Sequence, residues 1–470
     1  MSFAESILHE GSSTIPEELI NSTDKILKYA GISDDQGRIF KINLDYFKNL
    51  EDKNVFDNES SKIIKMINIE FYEIYQKVLK RVLLERNSSQ LYRMFLNFAY
   101  MDEKLLQAEH SRILYDLVDE LDYAEQGSVN SIARWLEKIF KKQEDPSVNE
   151  YGQDYFDIFR EKIKRGQLQA KDKSEYDNNI DGRLDHEMNN LLKIGQKLCS
   201  GHINEYCPIL HSGMIKSDLS KMMLDQDRIE ASLDKILKID FSAFHREIVY
   251  NQPETGISKE LIMKSVLPCF ILMPTVGSRA IMWQEVSGKI KSSPGRFVLP
   301  VLAEGDLDNL MTEMIAKFRW DLSKNMYTYG RGDDYQNSLT GDYSQYIQFY
   351  KKNPDLSNDA KEKIKTQILK YRNNIREMFA ADYSTWINYE SKGLVRLNKA
   401  ARDIFFKHCP FSKVIRDDLA KHPLYSQYIT VYEKARVKRS KVYQARYTKM
   451  LKPNIPLDAD LIGNLAYYEM

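Results

Sequence analysis

Four residues able to ligate a metal fall within 13 positions: Cys199, His202, Cys207 and His211. Zinc takes four nitrogen or sulfur ligands in a tetrahedron, and spacings this short let one tight loop present them. The window holds half of the four cysteines and a quarter of the eight histidines. Zinc is therefore the one cofactor candidate in a chain that otherwise implies none. The competing reading is chance clustering, with Cys199 a small buried residue on the Leu191–Leu198 stripe.

A second set could hold an anion. Gly277, Ser278 and Arg279 are followed by Trp283, Lys289, Lys291 and Arg296 in a stretch rich in glycine and proline. Glycines let a backbone approach a ligand, and N–H groups with lysine and arginine suit phosphate or carboxylate. The spacing is neither a P-loop nor a dinucleotide fingerprint. A turn-rich connection with solvated charges is the alternative.

The third set is a basic run: Lys434, Arg436, Lys438, Arg439, Lys441, Arg446 and Lys449, with no acid among them and with Tyr432, Tyr443 and Tyr447 interleaved. Lysine and arginine would neutralise phosphates while tyrosines stack on unpaired bases. The same run suits docking on an acidic protein surface, or plain solvation. Phe244-His245-Arg246-Glu247 forms an acid–base patch without an evident partner. No zinc-protease, nucleophile-elbow, Cys-x-x-Cys or kinase signature occurs.

The elements that must position these residues are mostly helical. Ile67, Phe71, Ile74, Val78 and Val82 step by three and four, which predicts a helix over about 60–86. Similar spacing predicts helices over about 102–123, 129–142, 184–198, 225–239 and 423–450, one capped by Asp306, and a long one over 358–379. Gly and Pro together number only 33 in 470 residues, fewer than a sandwich or barrel demands. The expected fold is all-α, a multi-helix array, with a short β-hairpin or ordered loop near 266–302.

Four divisions follow: an acidic helical domain over 1–165, a linker over 166–180, a central helical segment over 181–265, and a helical domain over 266–470 that ends in the basic helix. Met1–Glu150 holds 19 basic and 27 acidic residues, whereas Lys361–Met470 holds 22 and 11. Opposed ends could attract one another or meet partners of opposite sign. With no leader-like start, no apolar run long enough for a membrane and too few cysteines for a disulfide framework, the expected location is cytoplasmic and no membrane partner is expected.

The stretch Met273-Pro274-Thr275-Val276-Gly277-Ser278-Arg279 through Trp283, with Ser293-Pro294-Gly295-Arg296-Phe297, resembles a segment of uncharacterised helical bacterial proteins, some associated with cyclic-nucleotide-binding domains. The resemblance implies a signalling or regulatory helper and carries no catalytic residue. The phosphate cassette of a cyclic-nucleotide domain is absent here. Ranked first is a helical regulatory protein acting through protein surfaces, by a protein partner or self-association. Second is nucleic-acid binding by the basic helix, and third an anion or nucleotide ligand, or an enzyme, at Gly277–Arg296.

Overall fold

Apolar residues three and four apart fold into helices here, and a β-branched, proline-marked stretch folds into a sheet that the helices cover. The computed structural model describes residues 24, 27–28, 30–52, 58–85, 100–101, 112–114, 116–117, 128–149, 151–198, 209–210, 218–284, 295–324, 338–452 and 455–470. In chain order the first elements are α1 (Asp34–Asp52), α2 (Asn58–Glu85), β1 (Tyr100–Met101), β2 (Val129–Ser131), α3 (Ile132–Phe140), α4 (Tyr155–Lys164), α5 (Lys173–Asn178), α6 (Ile180–Leu198), β3 (Ile209–Leu210), α7 (Leu219–Met222) and α8 (Gln226–Leu237). Then come β4 (His245–Gln252), β5 (Ile257–Ser265), β6 (Cys269–Gly277), β7 (Ile281–Gln284) and β8 (Arg296–Ala303). The last are α9 (Leu307–Lys324), α10 (Leu339–Phe349), α11 (Asn358–Lys370), α12 (Ile375–Asn388), α13 (Lys399–His408), α14 (Lys413–Leu419), α15 (Tyr425–Met450) and α16 (Ala459–Tyr467). Among the described residues no helix is long and apolar enough to cross a membrane.

The chain divides into two compact units. One takes Met1–Ile229, Cys269–Gln284 and Arg296–Gly305; the other takes Glu230–Pro268, Glu285–Gly295 and Asp306–Met470. In the first, a mixed sheet runs in the order β2-β6-β8-β7, with β2, β6 and β8 parallel and β7 antiparallel to β8. Every residue of β8 is buried, and after Arg296 it reads as one apolar run without alternation, as a strand covered on both faces must. Leu184, Met188, Leu191, Ile194 and Leu198 line one face of α6 and pack with Ile132, Trp135 and Ile139 of α3 against Ile271, Met273 and Val298 of the sheet. Opposite Pro300, the β6 ladder slips between Met273 and Val276, where proline cannot donate.

In the second unit, helices surround an aromatic core. Trp386 stacks on Phe411 with centroids 3.9 Å apart, and Phe379 stacks on Phe405 at 5.4 Å. The hairpin β4–β5 packs α16 on its side, where Met263 N donates to Asn464 Oδ1 at 2.8 Å. Glu390, fully buried, accepts from Arg402 Nε, Tyr425 Oη and the backbone N–H groups of Arg396 and Leu397. That single carboxylate ties the turn after α12 to α13 and α15.

The molecule is predominantly helical, but its sheet content exceeds what the sequence suggests. Near 266–302, where a short hairpin or loop is expected, β6, β7 and β8 form three strands of a four-stranded sheet. His245–Ser265 forms a hairpin inside a stretch read as helical. Its turn, Gln252 to Gly256, places Gly256 at φ +90°, a conformation that suits glycine. The stretch 166–180 holds α5, and Tyr176 there stacks on Tyr155 at 4.5 Å.

Candidate functional site

The three sequence-derived sets fare differently. Cys199, His202, Cys207 and His211 lie outside the described residues, as do Lys289 and Lys291. Gly277 and Arg296 belong to adjacent parallel strands but not to one place. Arg296 pairs with Cys269 at one end of β6, and Gly277 pairs with Ala303 at the other. Eight residues of strand separate these ends, about 26 Å at the usual rise. Leu198 O sits 2.6 Å from where a Cβ at position 277 would stand, so helix packing alone accounts for that glycine. Ser278 and the exposed Arg279 follow at the same end, and the half-buried Trp283 packs on the core of the first unit.

Arg296 turns inward. It is fully buried, it lies over the Trp135 ring at 4.5 Å, and it donates to Ser147 Oγ and Asp145 O. Glu187, equally buried, stands 3.8 Å from its guanidinium and accepts from Trp135 Nε1 at 2.6 Å and Ser147 Oγ at 2.7 Å. Burial pulls Arg296 below the ordinary arginine value, and the Glu187 charge opposes that pull. The residue serves the core of the first unit.

The basic run lies along α15, split by the helical period into two faces. Lys434, Lys438, Lys441 and Lys449 are exposed on the outward side, with no ion-pair partner among the described residues. They span about 22 Å at the helical rise. Arg436 instead bonds Glu433 and Tyr468 O, and Arg446 pairs with Glu260 of β5. The tyrosines also face in: Tyr443 donates to Leu261 O, and Tyr447 accepts from Asn464. The four exposed lysines and the tyrosines that interleave with them in sequence are therefore separated in space, and a base-stacking surface on the outward side does not form.

Aromatic rings and cations do converge at the inner side of α15. A cavity of about 510 Å³ opens between α13, α15 and the end of α16. Its walls include Phe406, Tyr428, Tyr432, Tyr467 and Tyr468. Phe406 and Tyr428 are parallel within 5° at 5.0 Å, and Tyr467 meets Tyr468 edge-on at 5.1 Å. Lys399, Lys407, Arg436 and Arg439 line it as well, and Asp403 is the one carboxylate among the described residues that do. Burial pushes the Tyr432 hydroxyl up to about 12, so these phenols stay neutral at physiological pH. The volume is that of an ordinary small-molecule site. Such walls suit a flat ring, the cations suit an anionic group, and Asp403 can accept from hydroxyls or amines.

A polar cavity of about 470 Å³ adjoins it in the same unit and shares Lys407, Arg439, Tyr467 and Tyr468. His245, Arg246 and Glu247 of β4 line this second space, so the acid–base patch seen in the sequence does face a cavity. Burial, reinforced by the Arg319 charge, holds His245 down at about 4. His408 bonds Asp342 through Nε2 at 2.8 Å; burial lowers the imidazole and outweighs the carboxylate. Among the described residues no cluster of three or more metal-ligating side chains occurs. Neither cavity has a local signature, because the first is lined by residues from Lys399 to Tyr468 and the second by residues from His245 to Tyr468.

Residues 331–467 match the model of a domain of unknown function, DUF8509. No curated protein and no solved structure matches the chain. The match runs from before α10 through α16 and takes in every aromatic wall of the first cavity except Tyr468. The cyclic-nucleotide association implied by the Met273–Phe297 resemblance finds no support in it.

Proposed function

We propose that the protein is a helical regulatory protein whose C-terminal unit binds a small phosphorylated ring compound of the nucleotide class. The observation that carries this reading is the 510 Å³ cavity, lined among the described residues by five aromatic side chains, four cations and one carboxylate. Ring stacking against such walls contributes about 1–3 kcal/mol per base, and charge-assisted hydrogen bonds from lysine and arginine add to it. The nucleotide reading first attached to Gly277–Arg296 thus moves to α13 and α15. Adenosine 5′-monophosphate titrated into the full-length chain should bind saturably, with Tyr428→Ala weakening it about tenfold, at the low end of the stacking range. An absence of heat and of chemical-shift change at millimolar nucleotide would sink the proposal.

A second reading rests on Lys434, Lys438, Lys441 and Lys449, four exposed lysines on one helical face. They suit the phosphate backbone of a nucleic acid, without base recognition. Binding through them would weaken with salt, and replacing all four with alanine would flatten that dependence. Unchanged salt dependence in the quadruple variant removes this reading.

A further inference from the structure

The geometry points to guanine as the base that the aromatic cavity selects, with Asp403 as the residue that reads it. This inference rests on the nucleotide reading of that cavity and names which nucleotide it favours.

An acid is an unexpected wall for an anionic ligand, since a carboxylate repels a phosphate and calls for donors. Asp403 nevertheless lines the space, the one carboxylate among the described residues that do. It sits on α13 three positions before Phe406, so the two share one side of the helix. Phe406 in turn is stacked on Tyr428 at 5.0 Å. Partial burial pushes the Asp403 carboxyl up, and the Tyr428 hydroxyl, close beside it, opposes that rise. A carboxylate beside a phenol hydroxyl stands at the rim of the ring and not over its face. A base laid on this aromatic pair therefore turns an edge toward Asp403.

The neighbouring cations are committed elsewhere, so the carboxylate keeps its acceptors for that edge. Lys399, one turn earlier on α13, pairs with Asp355 at 3.6 Å, and Arg402 is bound to Glu390 at 2.9 Å. Two carboxylate oxygens are best met by two donors side by side, as in a fork. Guanine presents such a pair, N1–H beside its exocyclic amino group. Adenine and cytosine set an acceptor beside the amino group, and uracil flanks its N–H with two carbonyls. Each of these turns a lone pair toward a carboxylate oxygen. Hypoxanthine offers the N1–H alone. A site built on hydrogen bonds discriminates strongly against a ligand that leaves one unmade.

Calorimetric titration of the full-length protein with guanosine, inosine and adenosine 5′-monophosphates is the test. The guanosine compound is expected to bind at least about tenfold tighter than the adenosine compound, with inosine between them. Asp403→Asn exchanges one acceptor for a donor, and an asparagine amide matches adenine. The variant should weaken guanosine 5′-monophosphate about tenfold and hold adenosine 5′-monophosphate as tightly as before or more so. Much of Asp403 is exposed, so the variant should melt as the native chain does, and the native order of preference decides without it. Equal affinity of the native chain for the guanosine and adenosine compounds would overturn the inference and leave the aromatic cavity standing. Equal loss of both in the variant would overturn it too, because the carboxylate would then be meeting the ribose they share. Binding of none of the three would remove the nucleotide reading and this inference with it.

Discussion

Two buried arginines, one in each unit, show how the same side chain can be committed to different ends. Arg296 lies wholly inside the first unit, stacked on Trp135, bonded to Ser147 and Asp145 and balanced by Glu187. Arg319 in the second unit is nearly as enclosed, yet it lines a cavity that also holds three more cations. A buried charge needs a partner. In the first unit the fold supplies it. In the second, Arg319 and three further cations line open space, and that makes the second unit the place to look for a ligand.

The largest expected effect breaks the structural side of this comparison. Glu187→Ala leaves Arg296 buried without its counter-charge, and chemical denaturation should show a loss of about 3–5 kcal/mol. Nucleotide binding by the folded fraction should be unchanged. If the variant unfolds no earlier than the native chain, the Arg296 cluster is not what holds the first unit together.

Next in size is a pH effect in the second unit. Asp382 is buried, and desolvation pushes its carboxyl up to about 6, against the hydrogen bonds of Tyr343 and Gln367. Its folded value lies above the unfolded one of about 3.9. The folded state therefore binds the proton more tightly, and the stability this gives is present in acid and lost as pH rises through about 6. Asp382→Asn should gain stability relative to the native chain between pH 5 and 7, on the order of 2–3 kcal/mol at the upper end. Parallel stability curves for the two proteins would show that Asp382 does not titrate in this range.

Smaller still is the ring-wall effect. Tyr428→Ala removes one face of the aromatic pair and should cost about 1–2 kcal/mol of nucleotide affinity, read by calorimetry. The smallest effect belongs to α15's outward side. Replacing Lys434, Lys438, Lys441 and Lys449 with alanine should move stability by no more than about 0.5 kcal/mol per site and leave nucleotide affinity in place. A large loss of nucleotide binding would transfer the site from the inner side of the helix to the outer.

Helix periodicity made several elements legible from sequence. α2, α6, α8 and α15 fall within a few residues of where apolar spacing places them. The long helix read over 358–379 instead breaks in two. Arg372 and Asn373 take left-handed conformations at φ 50° and 61°, and Asn374 then caps α12 by accepting from Glu377 N. Asparagine tolerates that conformation and favours caps, so Asn373-Asn374 carried the signal. The hairpin β4–β5 was also signalled, by Pro253 and Gly256 just after the β-branched and aromatic run Ile248-Val249-Tyr250. Charge patterning misled more than it helped. The tyrosines of the basic run lie inside and the free lysines outside, a separation set by the 3.6-residue period and by what packs on each side. The cavities had no local signature, because tertiary folding alone brings His245, Arg319, His408 and Arg439 to one space.

Calorimetric titration of full-length protein with adenosine 5′-monophosphate, run beside Tyr428→Ala, reads occupancy of the aromatic cavity. Saturable binding by the native chain is expected, with about tenfold weaker binding by the variant. No binding by the native chain, or equal binding by both proteins, would contradict it.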